Sequence, residues 1–194
     1  MAVTLPALLH AARLTVERPK SGARLVMSLR LSRPEGWIFV GLMAVVSTLL
    51  AELALRLSNV PVDPAVAFVF DSPFRLAALQ LVVMGTAAYL ITRVGRWAGG
   101  TGQFDDALVL MAWLQAILLL VQLAELVAAF VLPLLAGLIG IVAPFLFGWL
   151  LTNFTAELHG FASLPKVFFS LLAGFMAFSV ALAAVLVAVL TLGA

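Results

Sequence analysis

Glu52, Arg56, Arg75, Gln80, Gln122, Glu125, Asn153, Glu157 and His159 are polar or ionisable side chains set in long apolar runs. Hydrocarbon does not solvate such groups, so each must find a partner, line a water-filled path or carry a proton. Glu52 and Arg56 are four residues apart with the acid first, the favourable order for an ion pair within one helix. Asn153 and Glu157 have the same spacing and share a face, with His159 close by. Gln115 and Gln122 lie one heptad apart on nearly one face, and Glu125 is turned about 60° from Gln122.

Catalytic and metal chemistry finds little support in these residue types. No cysteine is present, which removes thiol nucleophiles, disulfides and zinc or iron–sulfur ligation by sulfur. Glu157-Leu158-His159 lacks the second histidine of a zinc protease helix, and His10 is the only other histidine in the chain. Ser47, Ser170 and Ser179 have no histidine base at a recognisable spacing. Gly99-Gly100-Thr101-Gly102 is too short for a phosphate loop, lacks the lysine that would follow, and comes after no strand. It reads as a flexible turn ahead of a helix whose positive end carries Asp105 and Asp106. Asn153-Phe154-Thr155 fits the glycosylation acceptor pattern by accident, since it falls within an apolar span. The expectation is a protein with no catalytic residue, cofactor or metal.

The elements that must position these side chains follow from composition. Of 194 residues 64% are apolar and 10% charged, against about half and a quarter in soluble proteins. The formal charge of +2 is too small for a nucleic-acid surface. A helix needs about 20 apolar residues to cross a bilayer. Residues 37–57, 74–94, 107–132, 134–158 and 167–192 meet that need, which predicts an all-α, polytopic membrane bundle of five transmembrane helices. The first is preceded by Pro34-Glu35-Gly36 and followed by Ser58, Asn59, Pro61 and Pro64; Asp71-Ser72-Pro73 precedes the second. From Ala107 to Leu158 the apolar run would be about 78 Å long as one helix, so it must fold back. Pro133 is one natural break, and the freer backbone at Gly137 to Gly140 is the other.

Lys and Arg mark the cytoplasmic flanks. Arg13, Arg18, Lys20, Arg24, Arg30 and Arg33 precede the first span, Arg93 and Arg96 border the loop after the second, and Lys166 lies in the loop after the fourth. These are same-side loops, so the N-terminus is expected in the cytoplasm and the C-terminus opposite. Counting along the helices, Glu52 lies about 22 Å into the first span. It joins Arg56, Arg75, Gln80, Gln122 and Glu125 in an outer layer, read as a structural cluster that holds helices together. Asn153, Glu157 and His159 form an inner one, with Asp105, Asp106 and Lys166 at similar depth. Near the midplane only Gln115 is polar. The fourth span carries Gly137, Gly140, Pro144 and Gly148, read as a packing kink. In the fifth, Ala173, Ala177 and Ala181 recur every four residues beside Gly174, a smooth stripe for helix contact.

Residues 1–36 form a separate segment. No positive charge precedes Leu8-Leu9 and Arg13 interrupts the short apolar run, so it is not read as a secretory signal. Leu5, Leu8, Leu9, Ala12 and Val16 recur at helical spacing, with His10, Arg13 and Glu17 elsewhere. This predicts an amphipathic helix in the headgroup layer, ended at Pro19, with a second short piece from Ser21 to Leu31.

Gly99-Gly100-Thr101-Gly102-Gln103-Phe104, followed by Ala107-Leu108 and Ala112-Trp113, resembles the central segment of bacterial members of the Yip family. The layout is similar to that family too: an N-terminal segment, five closely spaced spans and little after the last. Asp71-Ser72-Pro73-Phe74 departs from the Asp-Leu-Tyr-Gly-Pro element of eukaryotic members, and Ala112-Trp113 stands where a Gly-Tyr pair is usual. Eukaryotic members are implicated in vesicle trafficking and bind prenylated Rab-type GTPases, chiefly through a cytoplasmic region longer than the 36 residues ahead of the first span here. No binding residue carries over. Nine arginines against two lysines suggest a GC-rich bacterial genome and hence a bacterial inner membrane.

The resemblance and the residues together imply a non-enzymatic scaffold or accessory subunit. Its partners would be membrane lipids and either another membrane protein or a second copy, without nucleic acid. The alternative is a small transporter or channel using Gln115, Glu125, Asn153 and Glu157.

Overall fold

The computed structural model describes residues 5–58 and 71–192. All regular structure among them is helical: α1 (Leu5–Glu17), α2 (Pro19–Met27), α3 (Arg33–Ser58), α4 (Pro73–Trp97), α5 (Phe104–Val131), α6 (Pro133–His159) and α7 (Leu164–Leu192). Of the turn expected after the first span, Asn59, Pro61 and Pro64 lie outside the described residues.

Local chemistry explains the helix ends. At the start of α3 the Glu35 carboxylate turns back to accept from both the Ser32 backbone N–H, at 2.8 Å, and the Ser32 hydroxyl, at 2.6 Å. That one-sided cap holds the chain as the helix opens at Arg33, ahead of the expected Trp37, because the carboxylate supplies the acceptor for the Ser32 backbone N–H. Pro73 and Pro133 open α4 and α6, where the missing proline N–H costs nothing. α6 ends on Gly160 in the left-handed region at φ 72°, and Phe161 N–H returns to the Ala156 carbonyl at 2.8 Å.

The long apolar run folds back at Leu132 and Pro133, the first of its two expected breaks. Leu132, at φ −150° and ψ 85°, ends α5 and begins α6 with no further linker. The two helices form an antiparallel hairpin that is the spine of the molecule. α3 and α4 pack on α5, and α7 meets the rest chiefly through α6.

Among the described residues, four helices are long and apolar enough to cross a membrane: Arg33–Leu57, Pro73–Trp97, Phe104–Val131 and Pro133–His159. The fifth expected span, α7, is a continuous helix of 29 residues whose apolar stretch is described from Leu164 to Ala177.

The main buried cluster gathers toward one end of this bundle, here called the packed end. Leu108, Leu114, Ile117 and Leu150 are fully buried there, with Val40, Met84, Ala88 and Phe154. At the opposite, open end Phe130, Val131, Leu134, Ile141 and Phe145 are exposed. The N-terminal segment belongs to the packed end. α1 and α2 pair as a hairpin, and α2 lies against α5 and α6. Ala12, Thr15, Pro19, Gly22, Ala23 and Val26 are its buried contact surface. Of the apolar residues expected on one face of α1, Ala12 is buried, while Leu8, Leu9 and Val16 stay exposed. The helix rests on the bundle along one flank and keeps the other free.

Candidate functional site

The convergence of polar groups at the packed end centres on His159, the last residue of α6. Its side chain is held by a loop distant in sequence. Gly102 N–H donates to Nδ1 at 3.1 Å, and Nε2 lies 3.1 Å from the Ile91 carbonyl of α4. A backbone N–H only donates and a carbonyl only accepts, so these partners assign the neutral tautomer with its proton on Nε2. The ring stacks on Phe161 at 5.4 Å and 22°, and the residue is 3% exposed.

The glycine-rich segment 99–102 is therefore a clasp rather than the free turn expected from composition. A Cβ placed on Gly95, Gly100 or Gly102 would collide with the His159 side chain. The segment's donors are spent internally: Gly99 N–H on the Arg96 carbonyl at 3.0 Å, Gly100 N–H on Gly95 at 2.9 Å, and Thr101 N–H on His159 at 3.4 Å. Arg96 closes the far side, its Nε donating to the Gly102 carbonyl at 2.8 Å. With its amides directed inward, the loop has none to offer a phosphate, in keeping with the missing lysine.

Ion pairs and one buried hydrogen bond fasten the N-terminal segment to the same end. Arg24 on α2 meets Glu157 on α6 at 3.0 Å. Arg33 Nε donates to Asp105 at 2.7 Å, and its guanidinium sits 5.6 Å above the Phe104 ring. The Trp113 indole N–H of α5 donates to the Thr15 hydroxyl at 3.0 Å, and that hydroxyl donates to the Ala11 carbonyl at 2.7 Å. Gly22 of α2 lies so close to Thr15 that a Cβ there would strike its backbone. Asn153 is buried and gives its amide to the Trp149 carbonyl at 2.8 Å. Beside this region lies a small apolar gap of about 10 Å³, lined by Ile91, Ala107, Leu110 and Thr155.

The inner set expected from sequence thus sits at one end, but as separate contacts. His159 binds the clasp, Glu157 binds α2, and Asn153 bonds within its own helix. Asp105 is drawn in through Arg33, and no described hydrogen bond links Asp106 or Lys166 to the others.

At the open end Arg56 donates to Glu52 through Nε at 3.1 Å and Nη2 at 2.8 Å. Glu125 of α5 turns toward α6, its Oε1 lying 2.9 Å from where a Gly140 Cβ would stand, so that glycine makes room for the carboxylate. Gln80 and Gln122 are half-buried, and no hydrogen bond between described residues joins them or Glu125 to the Glu52–Arg56 pair. Arg75 is exposed and engaged in an interaction of its own. Ala173, Gly174 and Ala177 are exposed on α7, and a Cβ on Gly174 would meet nothing within 4 Å. The side chain of Ala181 lies outside the described residues.

The basic residues of the N-terminal segment divide into two groups. Arg13, Arg24 and Arg33 are paired with Glu17, Glu157 and Asp105. The hydrogen bond and charge of Arg13 hold the exposed Glu17 carboxyl below the usual range, and Arg13 is raised in turn. Arg18, Lys20 and Arg30 make no ion pair among the described residues.

Thr15, Trp113, Ile91 and Gly95 escape a reading by residue type. Three are ordinary apolar or small residues and the fourth looks like a polar position on an amphipathic helix. The density of glycines from Gly95 to Gly102 is the one available signal, since glycine is the residue that lets a bulky ring approach backbone.

Comparison with known proteins gives one match. Residues 15–190 match the family model described as Yip1 domain. No curated protein and no solved structure matches the chain.

Proposed function

The chain belongs to the Yip1 family of integral membrane proteins, and from that premise we propose that it is a non-enzymatic scaffold or accessory subunit. In this reading α7 is a fifth span, the packed end faces the cytoplasm and the C-terminus lies on the other side of a bacterial inner membrane. Alternation of basic loops supports the orientation. The balance of nine arginines to two lysines supports the bacterial assignment.

The observation that carries the scaffold role is the contrast between α7 and the packed end. α7 rests chiefly on α6 and leaves Ala173, Gly174 and Ala177 exposed, the residue types that let another helix approach closely in lipid. His159, Asn153, Glu157 and Asp105 at the packed end are meanwhile engaged by internal contacts. A second helix, from another membrane protein or another copy, is what the free stripe fits. Crosslinking in native membranes followed by mass spectrometry tests this. A stoichiometric partner or homo-oligomer crosslinked through α7 is expected, and Gly174→Leu should abolish it. A monomer under several crosslinking chemistries would refute the role.

Glu125 favours a second reading as a small transporter or channel. It is a half-buried carboxylate in a span with no ion pair among the described residues, set against Gly140 of the facing helix. Flux through reconstituted vesicles that is lost in Glu125→Gln would establish that reading, and flux unchanged by that substitution would remove Glu125 from it.

A further inference from the structure

The N-terminal hairpin combines two features that one kind of partner satisfies together. Leu9, Val16, Leu25 and Leu29 are exposed along it, 54%, 41%, 40% and 59% accessible. Between residues 5 and 33 the only acid is Glu17, and Arg13 engages it. Three of the basic residues there are neutralised by carboxylates, which leaves Arg18, Lys20 and Arg30 with their charge uncompensated among the described residues. Arg30 also stands at φ 47°, in the left-handed region where a glycine would be relaxed.

We propose that α1 and α2 form a docking surface for anionic phospholipid, with Arg18, Lys20 and Arg30 on the headgroups and the exposed leucines and Val16 among the upper acyl carbons. The charge complementarity selects an anionic over a zwitterionic leaflet, and the apolar flank selects a lipid over a free anion. This rests on the membrane placement proposed above, with the packed end at the headgroup layer. It does not depend on a protein partner.

The test uses the full chain in mild detergent, titrated with fluorescent phosphatidylglycerol or phosphatidylcholine of the same acyl length. Binding of phosphatidylglycerol is expected to be at least about tenfold tighter, and the preference should shrink as salt is raised from about 0.05 to 0.5 M. Each charge removed should weaken binding about fivefold. Arg18→Gln/Lys20→Gln/Arg30→Gln should erase the preference, while Arg30→Gly should lose its fivefold share with an unchanged or higher melting temperature, since glycine relieves the backbone. Equal binding of the two lipids overturns the proposal. So does an unaltered preference in Arg30→Gly and in a folded triple variant, or displacement of the lipid by inorganic phosphate at equal concentration. If lipid selection fails while the α7 crosslink persists, the scaffold reading stands alone; the converse leaves the lipid surface standing without it.

Discussion

The two ends of the α5–α6 hairpin differ sharply in packing, and the better packed end is the more polar one in sequence, with Asp105, Asp106, Asn153, Glu157 and His159 against Gln122 and Glu125 at the other. Near the clasp, Leu108, Leu114, Ile117 and Leu150 are sealed from any solvent. Some twenty residues further along the same helices, Val131 is 80% and Leu134 74% exposed. In water such a difference would follow hydrophobicity. In lipid a leucine gains little by leaving the surface, so close packing has to be organised by shape and by polar contacts that tie helices together. The packed end has both: the clasp, two inter-helix ion pairs and the Thr15–Trp113 hydrogen bond. The open end has one described ion pair, Glu52–Arg56, and that pair lies within a single helix.

This contrast breaks most directly under matched truncation. Leu108→Ala should lower stability by about 2–5 kcal/mol through lost packing, whereas Leu134→Ala should cost about 0.5 kcal/mol or less. Unfolding of both variants in one detergent checks the difference, and equal effects would abolish the distinction between the ends. Gly100→Ala should cost about 1–3 kcal/mol in the same assay, because its methyl would force the His159 side chain out of place. The matching change at the open end, Gly137→Ala, meets empty space and should be neutral or slightly stabilising. Thr15→Val keeps the side-chain shape but strands the Trp113 indole N–H, for an expected loss of about 1–2 kcal/mol and greater protease sensitivity of the N-terminal segment. The smallest effect concerns α1 alone. Glu17 is held below its ordinary range, so the stabilisation from its pair with Arg13 is complete above that range and is lost as pH falls through the lowered midpoint. The Glu17 carboxyl followed by NMR should titrate below an unpaired glutamate, and Arg13→Gln should return it upward.

The all-helical class and several helix starts were legible because hydropathy and proline placement are local properties. Pro73 and Pro133 each open a helix, and the 107–158 run betrays its fold-back by length alone. The start of α3 lies a turn early because the Ser32–Glu35 cap adds residues that hydropathy omits. The packed-to-open gradient showed only as the inner polar set, since α5 and α6 are apolar over most of their surface and carry no continuous stripe to say which face meets protein. His159 and the glycine segment were each visible, but as an inner polar residue and a free turn. Nothing in residue type states that positions 57 apart in sequence close on each other. Thr15 was hidden for a related reason: a threonine on an amphipathic helix looks solvated until the tryptophan that claims it is known.

The turn at Leu132 and Pro133 bears on how the protein reaches its membrane. In the membrane placement proposed above, a junction of one residue leaves no hydrophilic loop to carry across the hydrocarbon, so entering as one hairpin spares the chain the cost of moving a polar segment through lipid.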